Sequence, residues 1–257
     1  VHVPVTLITA ELIENSGAQN LQEVLAAFVP GMTIVDCNDD INIAMRGIYS
    51  NGQEKILFML NGHRMNSYCT NISSPDFSMN LDKIKQIEVL RGPASSLYGG
   101  VALTAVVNLI TKQGADIDGV QASVGFGNYG QLRGNILFGK RYYDIDIMVW
   151  GSLYRAKGQS YHVTSGDLLR GVIEGDVTIG GIGDKPSFDL GLQLKWGDVR
   201  FMYDTHFSQT QSPFTMGYLH TPYDIDAYNT FNDKHDTTNI TFKKNITVMK
   251  VSRLDSA

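Results

Sequence analysis

Leu81-Asp82-Lys83-Ile84-Lys85-Gln86-Ile87-Glu88-Val89-Leu90-Arg91-Gly92-Pro93-Ala94-Ser95-Ser96-Leu97-Tyr98-Gly99, then Val106-Val107-Asn108-Leu109-Ile110-Thr111-Lys112, is the stretch that decides the fold. Asp82-Lys83-Ile84 reads as a helical turn. Ile87-Glu88-Val89-Leu90 reads as a strand that Arg91-Gly92-Pro93 ends. Proline fixes φ and lacks an N–H, so Pro93 suits the first position of a short helix running through Tyr98. Val106 to Thr111 is a second apolar strand. Strand, short helix and strand within so few residues indicate a small mixed α/β unit.

Working outward, the region up to Lys112 keeps this mixed grammar. Val5 to Ile8 reads as a strand. Asn20-Leu21-Gln22-Glu23 has the form of a capping box, with Asn20 as N-cap and Glu23 reaching back. Leu21, Val24, Leu25 and Phe28 share one helical face, and Pro30-Gly31 stops the helix. Strands are expected at Thr33 to Val35, Ile41 to Arg46 and Lys55 to Leu60, the last closed by an Asn61-Gly62 turn.

From Gly119 the period changes to two. Val120, Ala122, Val124 and Phe126 alternate with polar or small residues. So do Leu132, Ile136 and Phe138; Tyr143, Ile145, Ile147 and Val149; Phe188 to Trp196; and Val199 to Phe207. Each run has around ten residues and is punctuated by Gly, Asn or Asp, which is the dyad pattern of a membrane β-barrel with an apolar lipid face and a polar, wet lumen. A soluble sandwich or small barrel also alternates. Tyr142, Tyr143, Trp150, Tyr154, Trp196 and Tyr203 lie near strand ends, as an aromatic girdle would. Residues 209 to 238 read as a long loop, and Asn239 to Lys250 as one more strand.

Composition narrows the classes. Hydrophobic residues make up 43% of the chain and the net charge is −5. That argues for a folded chain and against nucleic acid as a partner, which would demand a basic patch. No run approaches the roughly 20 apolar residues of a membrane-spanning helix. The opening at Val1 shows no signal peptide, which fits a mature or clipped start, or a cytoplasmic one. Two cysteines are too few for a disulfide scaffold or a Cys-only zinc site. No GxSxG, Walker A or HExxH occurs, so no enzyme activity, cofactor or metal is expected. Gly125 to Gly130 spells G-x-G-x-x-G, but an alternating strand follows where a dinucleotide site needs a helix. Asn128-Tyr129-Gly130 is a hairpin turn instead.

The Leu81–Gly99 and Val106–Lys112 segments closely resemble the plug domain of TonB-dependent outer-membrane receptors. Pro4 to Thr9, Leu21 to Gly31, Arg46-Gly47 and Ile56 to Gly62 resemble further plug segments in the same order. Gly100 to Ala105, and Asn61 where the family often has Asp, depart from the pattern. The resemblance implies an α+β plug over 1–112, followed over 119–257 by antiparallel transmembrane strands of an incomplete barrel. Such receptors close about 22 strands around the plug. The residues after Thr111 leave room for about seven. A fragment or truncated product, lacking the upstream TonB box, is therefore expected.

The implied function is active uptake of a siderophore, haem, cobalamin or similar solute across the outer membrane, with the plug gating the lumen. The implied partners are TonB, a small-molecule or metal-chelate ligand and outer-membrane lipid. A passive porin-like barrel and a soluble periplasmic ligand-binding module are the alternatives. The resemblance places two apical loops toward the solute, with Asn38, Asp39, Asp40, His63, Asn66, Tyr68 and Asn71 as ligand-binding candidates. His63 is a polar loop residue or a contact to an iron-bearing ligand. Arg46, Arg91 and Glu88 are the candidates for seating the plug, the two arginines by pairing with carboxylates on the inner barrel wall. Cys37 and Cys69 lie one on each loop, as a disulfide or as two free thiols.

Overall fold

The computed structural model describes residues 4–37, 40–49, 54–66, 71, 73, 79–163, 175–179, 182, 186–197, 199–207 and 243–248. The first unit is built on β1 (Val5–Thr9), α1 (Ala10–Asn15), α2 (Leu21–Phe28), β2 (Met32–Cys37), β3 (Asp40–Met45), β4 (Ile56–Leu60), β5 (His63–Arg64), β6 (Ile84–Arg91), α3 (Ser95–Tyr98) and β7 (Ala105–Thr111). Its sheet has the order β1-β6-β7-β4-β5, with β4 and β7 parallel and the other pairs antiparallel. β2 and β3 form a separate hairpin.

Local chemistry accounts for these elements. Glu23 N–H donates to Asn20 Oδ1 (2.9 Å), and Glu23 Oε2 accepts from Gln19 N–H (2.6 Å), so orphan donors at the start of α2 are satisfied. The apolar stripe of α2 then closes over Ile8, Phe58, Ile87 and Val107 of the sheet. β4 is buried on both faces. Ile56, Phe58 and Leu60 join this main core, while Leu57 and Met59 pack against Ala94, Val101 and Ala102 of the segment after β6. Asn61-Gly62 has both φ positive (49° and 80°), the form a two-residue hairpin turn needs.

Three local expectations change. Asp82 and Lys83 form a turn, closed by Ile84 N–H donating to Leu81 C=O, and Ile84 already opens β6. Ala94 is the N-cap of α3, so Pro93 stands outside the helix, not at its first position. Arg46-Gly47 is likewise a tight turn, with φ of 52° and 77°, where a strand end was expected at Arg46.

The short helix α4 (Gly114–Ile117) links this unit to β8 (Gly119–Phe126), β9 (Leu132–Tyr142), β10 (Ile145–Arg155), β13 (Ser187–Trp196), β14 (Val199–Phe207) and β15 (Lys243–Val248). They form one antiparallel, unclosed sheet of order β15-β14-β13-β10-β9-β8. β11 (Gln159–Val163) and β12 (Gly175–Ile179) pair as a side hairpin. The expected turn at 128–130 joins β8 to β9, and no helix crosses residues 131–138. The long loop expected at 209–238 lies outside the described residues.

One face of this wall is apolar and bare. Val120, Val124, Phe126, Ile136, Phe138, Val149, Leu153 and Leu190 are exposed on it, together with Tyr142, Tyr143 and Trp196. The other face packs against the first unit and is drier than a wet lumen. Leu137, Met148, Trp150 and Met202 are buried in the same cluster as the first unit's core. Trp150 and Tyr154 therefore do not belong to a girdle; each is buried on the inward positions of β10. Their residue type suggested a girdle, but the two-residue period sets the face.

Gly191 is what admits Trp150. The two are register partners in β13 and β10, and a Cβ at 191 would lie 2.1 Å from the indole Cζ2. Gly134 in β9 has open space at the same position. Gly191→Ala is expected to displace the indole and cost about 1–3 kcal/mol, as overpacking does, while Gly134→Ala stays near neutral. Unfolding midpoints in detergent, read by tryptophan emission, check this; equal midpoints for the two variants would refute it.

Candidate functional site

The groups that join the two units converge on the turn before β6. Lys83 is 1% exposed, and its ammonium meets Asp189 Oδ2 at 2.6 Å, Asp189 Oδ1 at 2.8 Å and Asp204 Oδ1 at 3.2 Å. Both aspartates lie on inward positions of adjacent wall strands, β13 and β14. Asp189 also accepts from Asn80 N–H (3.0 Å) and Trp150 Nε1–H (3.0 Å). The ammonium sits 4.9 Å from the Trp150 ring centroid, within cation–π range. Burial pulls the Lys83 pKa down, but the charges and hydrogen bonds of Asp189 and Asp204 outweigh it and hold the pKa above the ordinary lysine value.

Further bonds extend the seam. Thr111 Oγ1–H donates to Gln193 Oε1 (2.7 Å), which Asn61 Nδ2 also approaches (3.5 Å). Asn135 Nδ2 and Ser123 Oγ donate to Asp82 Oδ2 (2.8 and 3.2 Å), and Arg133 Nη2 donates to Gln19 C=O (2.8 Å). At the linker, the amides of Gly114 and Ala115 both donate to the Asp146 carboxylate of β10, at 2.6 and 3.0 Å. Burial raises the Asp116 pKa, but hydrogen bonds from the Gln113 N–H and Lys85 outweigh it and leave the pKa below the ordinary value. A cleft of about 250 Å³ remains between α1, the turn and β9, lined by Ile13, Glu14, Asp82, Arg133 and Asn135 among others.

The residues expected from the sequence are placed differently from these. None of Arg46, Arg91 and Glu88 makes a bond to the wall among the described residues. Arg46 is exposed in its turn. Arg91 is half-buried, and its Nε has no hydrogen-bond partner among the described residues. Glu88 accepts from Gln86 Nε2 and Asn108 Nδ2.

Of the ligand candidates, Asn38, Asp39 and Tyr68 lie outside the described residues, as does Cys69. Only the backbone of Cys37 and Asp40 is described, in β2 and β3. His63 is exposed at the start of β5. Asn71 is exposed and accepts from Arg64 Nη2 (2.6 Å). Asn66 is corrected from a ligand group to a structural one. It is buried, accepts from Phe58 N–H (2.7 Å), and donates to Ile56 C=O and Asn71 C=O. Among the described residues no cluster of His, Cys, Asp or Glu is placed to hold a metal ion.

This geometry, a compact unit bonded to the inner face of a sheet whose outer face is apolar, meets its counterpart in known proteins. A family profile described as the TonB-dependent Receptor Plug Domain matches residues 1–106. The chain carries a TonB-dependent receptor plug domain. It is 32% identical over 133 residues to the vitamin B12 transporter BtuB of Vibrio vulnificus, covering 51% of this chain and 21% of that protein. It is 33% identical over 115 residues to the iron-regulated outer membrane virulence protein of Vibrio cholerae, covering 42% and 17%. The chain thus spans about a fifth of the length of these curated relatives. Two solved structures share the fold. The ferric yersiniabactin uptake receptor FyuA of Yersinia pestis aligns with TM-score 0.53 at 17% identity, over 80% of this chain and 31% of its own. The ferric-catecholate import receptor Fiu of E. coli aligns with TM-score 0.53 at 19% identity, over 82% and 28%.

Sequence reasoning missed the Lys83–Asp189–Asp204 group that joins plug to wall. Its signal was present: two aspartates on inward positions of strands, and a lysine just ahead of the diagnostic plug strand. Removing one partner of a buried pair strands the other, at about 3–5 kcal/mol. Asp189→Asn is expected to fall in that range. Asp204→Asn is expected to cost less, because Asp204 takes one ammonium contact where Asp189 takes two. Lys83 has a raised folded pKa, so its contribution is complete below the unfolded value of about 10.4 and is lost as pH climbs through the folded value. The Asp189→Asn penalty should hold constant between about pH 8 and pH 9. Urea unfolding at several pH values checks both points, and a penalty that fades within that window would contradict the assignment.

Proposed function

We propose that this chain is the plug, residues 1–112, and first wall strands, residues 119–257, of an outer-membrane receptor that takes up a scarce solute. The observation that carries the reading is the seating of a compact plug, by a buried ion group, on the inner face of a wall whose outer face is apolar. A contiguous apolar face of this extent needs lipid or a partner to cover it. A soluble ligand-binding module has no use for such a face, and a passive porin has no use for a seated plug.

A plug that fills the lumen must move for a solute to pass, and holding a barrel shut against leakage demands strong seating. Energy for that movement comes, in this reading, from TonB. The solute is a siderophore, haem, cobalamin or similar compound; cobalamin and a ferric siderophore are in keeping with the names of the vitamin B12 transporter and of the structural neighbours. No bond-making step is assigned to any residue. Asn38, Asp39, Asp40, His63, Tyr68 and Asn71 form the ligand face, and Asn66 braces it from beneath. Arg91 is a further seating residue: a buried guanidinium nitrogen without an acceptor favours a carboxylate partner. Arg46 and Glu88 join it in that role.

The decisive experiment expresses the gene encoding this chain in cells and follows labelled cobalamin, haem and ferric siderophores. Saturable uptake of one of them, abolished when TonB is deleted, is expected. Uptake indifferent to TonB would make the protein a passive barrel. In the same reading Cys37 and Cys69 bridge the two apical loops. Alkylation of native protein before reduction should then add no mass, and two additions would exclude the bridge.

A further inference from the structure

We infer that the wall carries a preorganised receptor site for a primary ammonium group, of which the Lys83 side chain is the resident occupant. The inference stands on the plug–wall geometry and does not depend on the uptake reading.

Three features build the site. The first is its acceptor set. An ammonium has three N–H donors, and three carboxylate oxygens lie at 2.6, 2.8 and 3.2 Å from Nζ, so each donor has an acceptor. The second is that the central carboxylate is oriented from the wall as well as from the plug: Asp189 Oδ1 accepts from Trp150 Nε1–H, a wall residue, while Oδ2 accepts from Asn80 N–H of the plug. The Trp150 ring, lying across Gly191, supplies an aromatic face 4.9 Å from the nitrogen. Register places Trp150, Gly191 and Asp204 in one row across β10, β13 and β14, with Asp189 and its register partner His206 in the adjacent row. The missing side chain at 191 is what lets the indole lie across that row. The third is enclosure: Lys83, Trp150 and Asp189 are each 1% exposed.

Such a site discriminates by shape and hydrogen bonding. A quaternary ammonium carries no N–H and cannot use the acceptors. The guanidinium ion is planar and presents six N–H donors, more than the three oxygens satisfy, in a space already bounded by the indole. A sodium ion lacks the alkyl stem that fills the lysine channel.

The test removes the resident group. Lys83→Ala deletes three methylenes and the ammonium, so propylammonium replaces the missing atoms. With Trp196→Phe, Trp150 becomes the single tryptophan reporter. In detergent-refolded 257-residue chain, Lys83→Ala is expected to shift Trp150 emission to the red and raise its quenching by acrylamide. Propylammonium should restore the parent spectrum saturably, ethylammonium less well. Tetramethylammonium, guanidinium and sodium, matched for ionic strength, should fail. Lys83→Met fills the same channel without charge, so it should show no amine response, and parent protein should be indifferent because Lys83 is already seated. If Lys83→Ala refolds only when propylammonium is present, the site is likewise supported. Failure to refold with every amine, an equal response to all salts, or rescue of Lys83→Met would overturn the proposal.

Discussion

A lysine ammonium out of contact with water is unfavourable by several kcal/mol unless acceptors surround it, and carboxylates facing one another in a dry interior are no better off alone. The plug supplies the cation and the wall supplies the anions. Each unit is therefore left with an unmet charge when the other is absent. This mutual requirement makes the plug–wall contact directional as well as adhesive. Apolar packing of Met148, Trp150 and Met202 against the plug core contributes area without specifying position. Three hydrogen bonds at Lys83 specify it to within their geometry, and the amides of Gly114 and Ala115 fix a second point at Asp146.

The two points lie at opposite ends of one covalent path. Lys83 precedes β6, and α4 follows β7, the antiparallel neighbour of β6. The plug strands that sit between them are thus tied to the wall at the entry of one strand and beyond the exit of the next. By contrast, β1 pairs with β6 alone at the sheet edge, and β2–β3 pairs only with itself, joined to the rest of the plug through the packing of Met32, Ile43 and Met45 in the core. The seated part of the plug and its less tied part are distinct stretches of sequence, which matters for any mechanism that requires part of the plug to move while the rest stays seated.

Much of this was legible in the residues. The change of period at Gly119 reflects a change of environment, from a core on two faces to a sheet with one apolar face, and it survives in the structure strand by strand. The hairpin turns at Asn61-Gly62 and Asn128 to Gly130 follow from backbone demands that few residues meet. What escaped was the meaning of the inward face. Alternation says which residues share a face but not what covers that face, and a plug replaces lumen water with side chains. Hence Trp150 read as a girdle residue, Asn66 as a ligand group, and Lys83 went unnoticed beside the more conspicuous arginines. All three depend on contacts between residues far apart in sequence: Lys83 and Asp189 are joined across 106 positions.

That dependence also explains why a glycine is among the most constrained positions of the wall. Strands seldom use glycine, because it adds entropy to the unfolded chain and no packing to the folded one. At 191 the absence of a side chain is itself the contribution. It lets an indole lie across the row, the indole holds Asp189, and Asp189 holds the lysine. A residue with no side chain thereby governs an ion group several ångströms away. The chain of cause runs from backbone register to ring placement to carboxylate orientation to charge pairing. Each step is local, and only their sum makes the plug fit one position on the wall.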